Sequence, residues 1–335
     1  MKKNLIIAEI GQNHDGSLGL AHSYIDAVAS TGADVIKFQM HFADEESTLN
    51  DKFRKKFSYK KESRFEYWKR MEFSNDEWFG LIKHAKKKKL LFSCSPFSLK
   101  AVELLKKLNV DVWKIASGEI NNFEILNKII KQNKPIIIST GLSNYLEIKK
   151  TIGFLNKKKF NNFILMQCTT KYPCDYKSVG INNLDVYKKK FKCNVGLSDH
   201  TGSIFPSLYA LSKGISALEV HVTFDKKMFG PDIKSSVSIE DLKKIVEYRN
   251  AKNLMDKNPI NKDKFAKKVK YNKKLFSKSL SIKKNMVKGE ILKKSNLVLK
   301  KPGTGLDYTY LKKLIGRKAK KNINKNYLIF LKDFE

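Results

Sequence analysis

Short apolar runs that each end in polar, chemically capable residues recur through the first two thirds of the chain. Leu5 to Ala8 leads to Glu9, Val35 and Ile36 to Lys37 and Gln39, Leu90 to Phe92 to Ser95, and Val112 to Ile115 to Ser117 and Glu119. Ile136 to Ile138 then leads to Ser139, Ile164 to Met166 to Gln167 and Thr169, Val195 to Leu197 to Ser198 and His200, and Ala217 with Leu218 to Glu219 and His221. These are eight predicted strands, and the amphipathic stretches between them are long enough for helices. Such alternation predicts βα units on a parallel sheet. Eight units close most economically as an α/β fold of the (β/α)8 TIM-barrel type, whose chemistry sits at the C-terminal ends of the strands.

The first helix is predicted to start after Ser17 and to stop at Thr31 and Gly32, and Ser74 to Glu77 is a second helix-start pattern. Between them the period breaks: 40–73 is a polar insert rich in aromatics, including Phe53, Phe57, Tyr59, Phe65, Tyr67 and Trp68. Inserts of this length are functional or disordered, and the aromatics argue for packing as a lid or interface. The last barrel helix is expected over 239–254. The sequence divides into a barrel over 1–255, a lysine-rich linker with some helix over 256–274, and a smaller β-rich domain over 275–335. A module of that size buries a marginal core, so docking elsewhere is expected.

The formal net charge of +34 would ordinarily suggest a nucleic-acid partner. Arginine, however, stands only at 54, 64, 70, 249 and 317, and the lysines cluster on predicted helix faces. Nucleic-acid readers favour arginine forks and interleaved aromatics. We expect no nucleic-acid partner, and only a general attraction for anionic substrates. No apolar stretch approaches a membrane span and the start lacks a signal-peptide pattern, so no membrane partner and a cytoplasmic location are expected. Cys94, Cys168, Cys174 and Cys193 have no CxxC pairing and are read as reduced thiols.

His200 and His221 end consecutive predicted strands, close enough to share one ion such as Mn2+, Fe2+, Co2+ or Zn2+; the alternative is two hydrogen-bonded histidines at a barrel rim. Lys37 and Lys114 interrupt apolar strands, as Schiff-base nucleophiles, anion clamps or lysines snorkelling from strand ends. Ser117 and Gly118, with Ser139, Thr140 and Gly141 on the next strand, make a candidate phosphate cradle beside Lys114. Glu9 and Glu119 are the candidate acid-base carboxylates, or else orient Lys37 and Lys114.

The joint pattern resembles the sialic acid (N-acetylneuraminate) synthase family across the whole chain. It comprises Ala8-Glu9-Ile10-Gly11-Gln12-Asn13-His14-Asp15-Gly16, Ile36-Lys37-Phe38-Gln39, Ser95-Pro96-Phe97, Trp113-Lys114-Ile115-Ala116-Ser117-Gly118-Glu119, Ser139-Thr140-Gly141, Cys168-Thr169, Tyr172-Pro173, Gly196-Leu197-Ser198-Asp199-His200, Glu219-Val220-His221 and Gly230-Pro231-Asp232. Val287-Lys288-Gly289-Glu290 and Lys300-Lys301-Pro302-Gly303-Thr304-Gly305 resemble that family's antifreeze-like (SAF) domain.

The resemblance implies condensation of phosphoenolpyruvate with an N-acyl amino sugar. It places a divalent metal, Mn2+ first and Mg2+ or Co2+ next, on His200 and His221. It also assigns Lys37, Ser95, Lys114, Ser117, Ser139 and Ser198 to phosphoenolpyruvate, Glu119 with Glu9 to proton handling, and Gln39, Tyr172, Asp232 and Lys301 to the sugar. A homodimer with swapped C-terminal domains is implied as well. The chain departs from the sialate-making pattern at Gln167 and Thr170, at Lys301 where arginine is usual, and around Tyr67-Trp68-Lys69-Arg70. These departures bear on which sugar is used, with sialate-, legionaminate- and pseudaminate-type substrates as the range.

Overall fold

The computed structural model describes residues 4–53 and 61–335, so Phe57 and Tyr59 of the insert lie outside the described residues. Two compact units divide the chain, Met1–Met255 and Asp256–Glu335. In the first, strands β1 (Leu5–Gly11), β2 (Val35–Met40), β3 (Leu91–Pro96), β4 (Val112–Ile115), β5 (Ile136–Ser139), β6 (Phe163–Cys168), β7 (Asn194–Asp199) and β8 (Ala217–Thr223) each pair in parallel with the next. β1 also pairs in parallel with β8, which closes a (β/α)8 barrel. A short ninth strand, β9 (Ser236–Ser238), adds to β8 in the register His221↔Ser236.

Alternation along these strands explains both the core and the site. Leu5, Ile7, Val35, Val112, Ile137, Ile164, Met166 and Ala217 form one buried cluster, and the residues between them pack into the larger core shared with the helices. Two residues further along the same parity, apolar side chains give way to Glu9, Lys37, Lys114, Ser139, Cys168 and Glu219. The strand period of two thus continues unbroken while the chemistry switches from dry to charged.

Gly196 belongs to that inner parity, and a Cβ there would stand 2.3 Å from Met166 Sδ and 2.4 Å from the Ala217 carbonyl. The missing side chain is the space that Met166 fills. Gly196→Ala is expected to lower stability by about 1–3 kcal/mol through overpacking. Urea unfolding checks this, and an unchanged midpoint would refute it.

The predicted first helix spans Leu18–Thr31, with Ser17 Oγ accepting from Leu20 N and Gly32 ending it at φ 77°. The helix Asn75–Lys87 starts with a Ser74/Glu77 capping box. The last barrel helix runs over Ile239–Lys257, three residues beyond its predicted end. Buried Arg249 on this helix bonds Asp34 Oδ2 at 2.5 Å and the carbonyls of Asn4 and Gly32 at 3.2 and 3.3 Å, tying the final helix to the first strand and its neighbouring loop.

The insert is partly helical, with Ala43–Glu46 and Arg64–Met71 packing Ala43, Tyr67, Trp68 and Met71 into a small core of their own. In the second unit the predicted linker carries two helices, Lys262–Lys268 and Lys270–Phe276. Strands β10 (Ser279–Ile282) and β11 (Leu297–Lys300) pair antiparallel over a core that includes Leu280, Ile282, Met286 and Phe334. Leu328 joins this small sheet through an isolated antiparallel bridge to Ser281. All four cysteines are free thiols. Among the described residues no helix is long and apolar enough to cross a membrane.

Candidate active site

At the C-terminal ends of the strands an outer cavity of about 380 Å3 leads to an inner pocket of about 60 Å3. Gln39, Ala116, Ser117, Tyr172 and His221 line both. Glu9, Lys37, Ser95, Lys114, Ser139, Ser198 and His200 line the inner pocket, whereas Glu119 and Asp232 line the outer cavity. Barrel closure thus brings together residues drawn from all eight strands. Lys301 lies in the second unit, with its Nζ 5.3 Å from the Phe276 ring centroid.

Four buried charges occupy the inner pocket. Lys37 Nζ stands 2.7 Å from Glu9 Oε2 and 3.6 Å from Glu219 Oε1, and Lys114 Nζ lies 2.6 Å from Glu219 Oε2. Lys37 also donates to Ser95 Oγ at 3.3 Å, and Ser198 Oγ donates to Glu219 Oε1 at 3.4 Å. Burial disfavours the Lys37 cation, but Glu219 and Glu9 more than reverse this and hold its pKa above the usual lysine value. For Lys114 burial wins, with Lys37 adding to it against Glu219, and the pKa falls. Burial opposes the Glu219 charge, yet the two lysines outweigh it and press the carboxyl down to about 2.

Glu219 is the residue that sequence reasoning passed over as a site residue. Its signal was present: it is a carboxylate inside an apolar strand, two positions before His221, the same anomaly that singled out Lys37. The two acid-base candidates separate in space. Glu9 is tied to Lys37 and accepts from Gln39 Nε2 at 2.6 Å, so it orients that lysine. Glu119 does not orient Lys114, whose carboxylate partner is Glu219. Burial raises the Glu119 carboxyl above its ordinary range, partly offset by donation from Asn122 Nδ2 at 2.8 Å. A half-buried carboxyl at a cavity wall is suited to exchanging protons.

His200 and His221 stand with ring centroids 5.3 Å apart. His200 Nδ1 donates to the Thr169 carbonyl at 2.8 Å and Nε2 lies 3.1 Å from the Tyr172 hydroxyl. Burial disfavours the charged ring, but Cys168 and the Thr169 carbonyl outweigh it and raise the His200 pKa to about 9, so an ion bound at Nε2 would have to displace a proton. A backbone carbonyl fixing the far nitrogen is the usual support of a metal-binding imidazole. Among the described residues the buried His221 Nδ1 has no hydrogen-bond partner, and it lies 4.0 Å from Asp232 Oδ2. Burial lowers its pKa despite Asp232, which favours the neutral ring that a metal requires. Among the described residues no three His, Cys, Asp or Glu side chains form a metal cage. The pair therefore fits a two-imidazole centre that takes its other ligands from water or substrate. Ser139 Oγ and Thr170 Oγ1 at this end of the barrel are likewise buried without partners among the described residues. Unsatisfied buried polar atoms gathered in one place mark a site built for a ligand.

The family model described as the NeuB family matches residues 24–259. The chain is 38% identical to the N,N'-diacetyllegionaminic acid synthase of Campylobacter jejuni, with 98% of this chain and 99% of that protein covered. It is 30% identical to the enzyme of the same name from Legionella pneumophila, over 95% and 91% of the two chains. Its fold matches the crystal structure of an N-acetylneuraminic acid synthetase from Leptospira borgpetersenii with a TM-score of 0.69 and 29% identity, covering 81% of this chain and 91% of that one.

Proposed function

Because the chain belongs to the NeuB family, we propose that it is a nonulosonic acid synthase that condenses phosphoenolpyruvate with an N-acyl amino sugar and water. The observation that carries this reading is the pair of buried lysines, Lys37 and Lys114, among hydroxyls at the bottom of a cavity whose wall holds two converging histidines. Phosphate and carboxylate of one small anion suit Lys37, Lys114, Ser95, Ser117, Ser139 and Ser198, since charge-assisted contacts strengthen away from water. In the reaction C3 of the enol bonds to the aldehyde carbon of the open-chain sugar and the aldehyde oxygen gains a proton. Water adds at C2, and the C2–O bond to phosphate breaks.

Glu119 stands where it can pass protons during these steps, while Gln39, Tyr172 and Asp232 orient the sugar. His200 and His221 would hold a divalent ion, Mn2+ first, which would polarise the aldehyde oxygen as a Lewis acid. The second unit, with Lys301, is read as an SAF-type module that completes the sugar site of a partner chain in a homodimer. The sugar is N-acetylmannosamine or a diacetamido hexose, and similarity to the legionaminate-type enzymes favours the latter.

Phosphate release from phosphoenolpyruvate, assayed against a panel of N-acyl amino sugars, tests the reading. Lys114→Ala is expected to weaken apparent binding of phosphoenolpyruvate tenfold or more, in line with roughly 1.5–3 kcal/mol for a charged contact. The sugar's KM should move far less, and an unchanged phosphoenolpyruvate KM would reject the assignment. The depressed pKa of Lys114 supports one competing reading, a Schiff-base aldolase. Borohydride trapping with substrate would mark Lys114 covalently in that case and leave a condensing synthase unmodified.

A further inference from the structure

The insert after β2 builds one wall of the outer cavity, and one of its carboxylates has an oxygen with no hydrogen-bond partner among the described residues. His41 is buried between Trp68 and Phe97, with ring centroids 3.9 and 4.3 Å away and planes nearly parallel. Both of its nitrogens are engaged: Nδ1 bonds Glu46 Oε1 at 2.5 Å and Nε2 bonds Gln39 Oε1 at 3.1 Å. The imidazole thus holds Glu46 in place, and the aromatic stack holds the imidazole. Glu46 Oε2 is buried and has no hydrogen-bond partner among the described residues, although the side chain lines the cavity and is only 10% exposed. Beside it Arg64 lies over Trp68 at 5.0 Å and pairs with Asp51 at 3.0 Å, and it too lines the cavity.

This wall therefore offers a fixed acceptor, a cationic donor and an apolar aromatic surface. An acylamino group presents the complement of all three: an N–H, a carbonyl and a methyl. A hydroxyl would satisfy Glu46 but would leave the partly exposed Phe97 ring, which also lines the cavity, facing water. Glu46 also stands one imidazole ring beyond Gln39, the amide assigned above to the sugar, so it addresses a different ring substituent. We propose that Glu46, positioned by His41 and flanked by Arg64 and Trp68, binds the second acylamino group of a diacylamino hexose. The proposal rests on the synthase reading above and narrows it to doubly acylated sugars.

The test is calorimetric titration of N-acetylmannosamine and of a 2,4-diacetamido hexose into the full-length protein, run beside the phosphate-release assay. The diacetamido sugar is expected to bind at least tenfold more tightly. Glu46→Ala should collapse that ratio towards one. Glu46→Gln can keep its one oxygen on His41 Nδ1, which turns the free oxygen into an NH2 donor, so it should lose the preference while leaving His41 in place. Circular dichroism confirms that both variants are folded. Equal affinities in the parent protein, a ratio that survives Glu46→Ala, or binding of neither sugar would each overturn the subsite. Discriminating binding without phosphate release would instead sink the reaction assigned above and leave the subsite standing.

Discussion

Replacing Glu219 with alanine is expected to lower the free energy of unfolding by about 3–5 kcal/mol, because it strands the buried Lys114 and leaves Lys37 with Glu9 alone. Lys37 and Lys114 both face this carboxylate, and neither is exposed enough to recover hydration. Glu9 continues to pair with Lys37, so the loss should fall mainly on Lys114, whose pKa would drop further and leave it neutral over more of the pH range. Chemical denaturation measures the loss. The double replacement Lys114→Met with Glu219→Leu removes both members of the closest pair and should recover most of the stability while remaining inactive. A loss below about 1 kcal/mol for Glu219→Ala, or no recovery in the double variant, would refute the account of the four charges as a balanced buried set.

Activity, by contrast, is expected to depend most steeply on the histidine pair. His221→Ala should cut phosphate release by at least about a thousandfold, since that factor corresponds to roughly 4 kcal/mol of barrier, the scale of Lewis-acid stabilisation. His221 is the decisive position because, among the described residues, its Nδ1 has no hydrogen-bond partner, so its removal should disturb the fold little. His200→Ala should be as inactive but less stable, since its ring also bonds Thr169 and Tyr172. Circular dichroism and thermal melts separate the two effects. Retention of a tenth of the activity in His221→Ala, or full activity after exhaustive chelation, would rule out a metal on this pair.

Much of the barrel was legible because a parallel strand buried on both faces must be written as an uninterrupted apolar run, and any polar residue inside it stands out. Lys37, Lys114, His200 and His221 were visible for that reason. Their mutual geometry was also recoverable, since strand parity alone puts Glu9, Lys37, Lys114, Glu219 and His221 on the inner side. Glu219 stands out less because it lies at the same strand end as His221, two residues before it, where a polar ending is expected in any case. His41, Glu46 and Trp68 were hidden for a different cause: the insert has no period, and its contacts with Phe97 and Gln39 depend on how an irregular segment folds back. The helices over 262–268 and 270–276 were hard to read because lysine dominates their composition and masks any apolar stripe. Neither of them buries a residue, so no core demanded a pattern.

The two lysines and two glutamates of the inner pocket cancel in charge, and this separates how an anion is drawn in from how it is held. A phosphorylated carboxylate approaching the barrel feels almost no net pull from Lys37 and Lys114 until it is close enough to compete with Glu9 and Glu219 for them. Attraction over longer range comes from the chain's surplus of +34, carried largely by surface lysines. That far field fades over about 8 Å at physiological ionic strength, whereas contacts in the desolvated pocket are screened much less. Encounter rate is therefore a property of the whole surface and falls with added salt, while residence time is set by the buried pocket and is nearly indifferent to it.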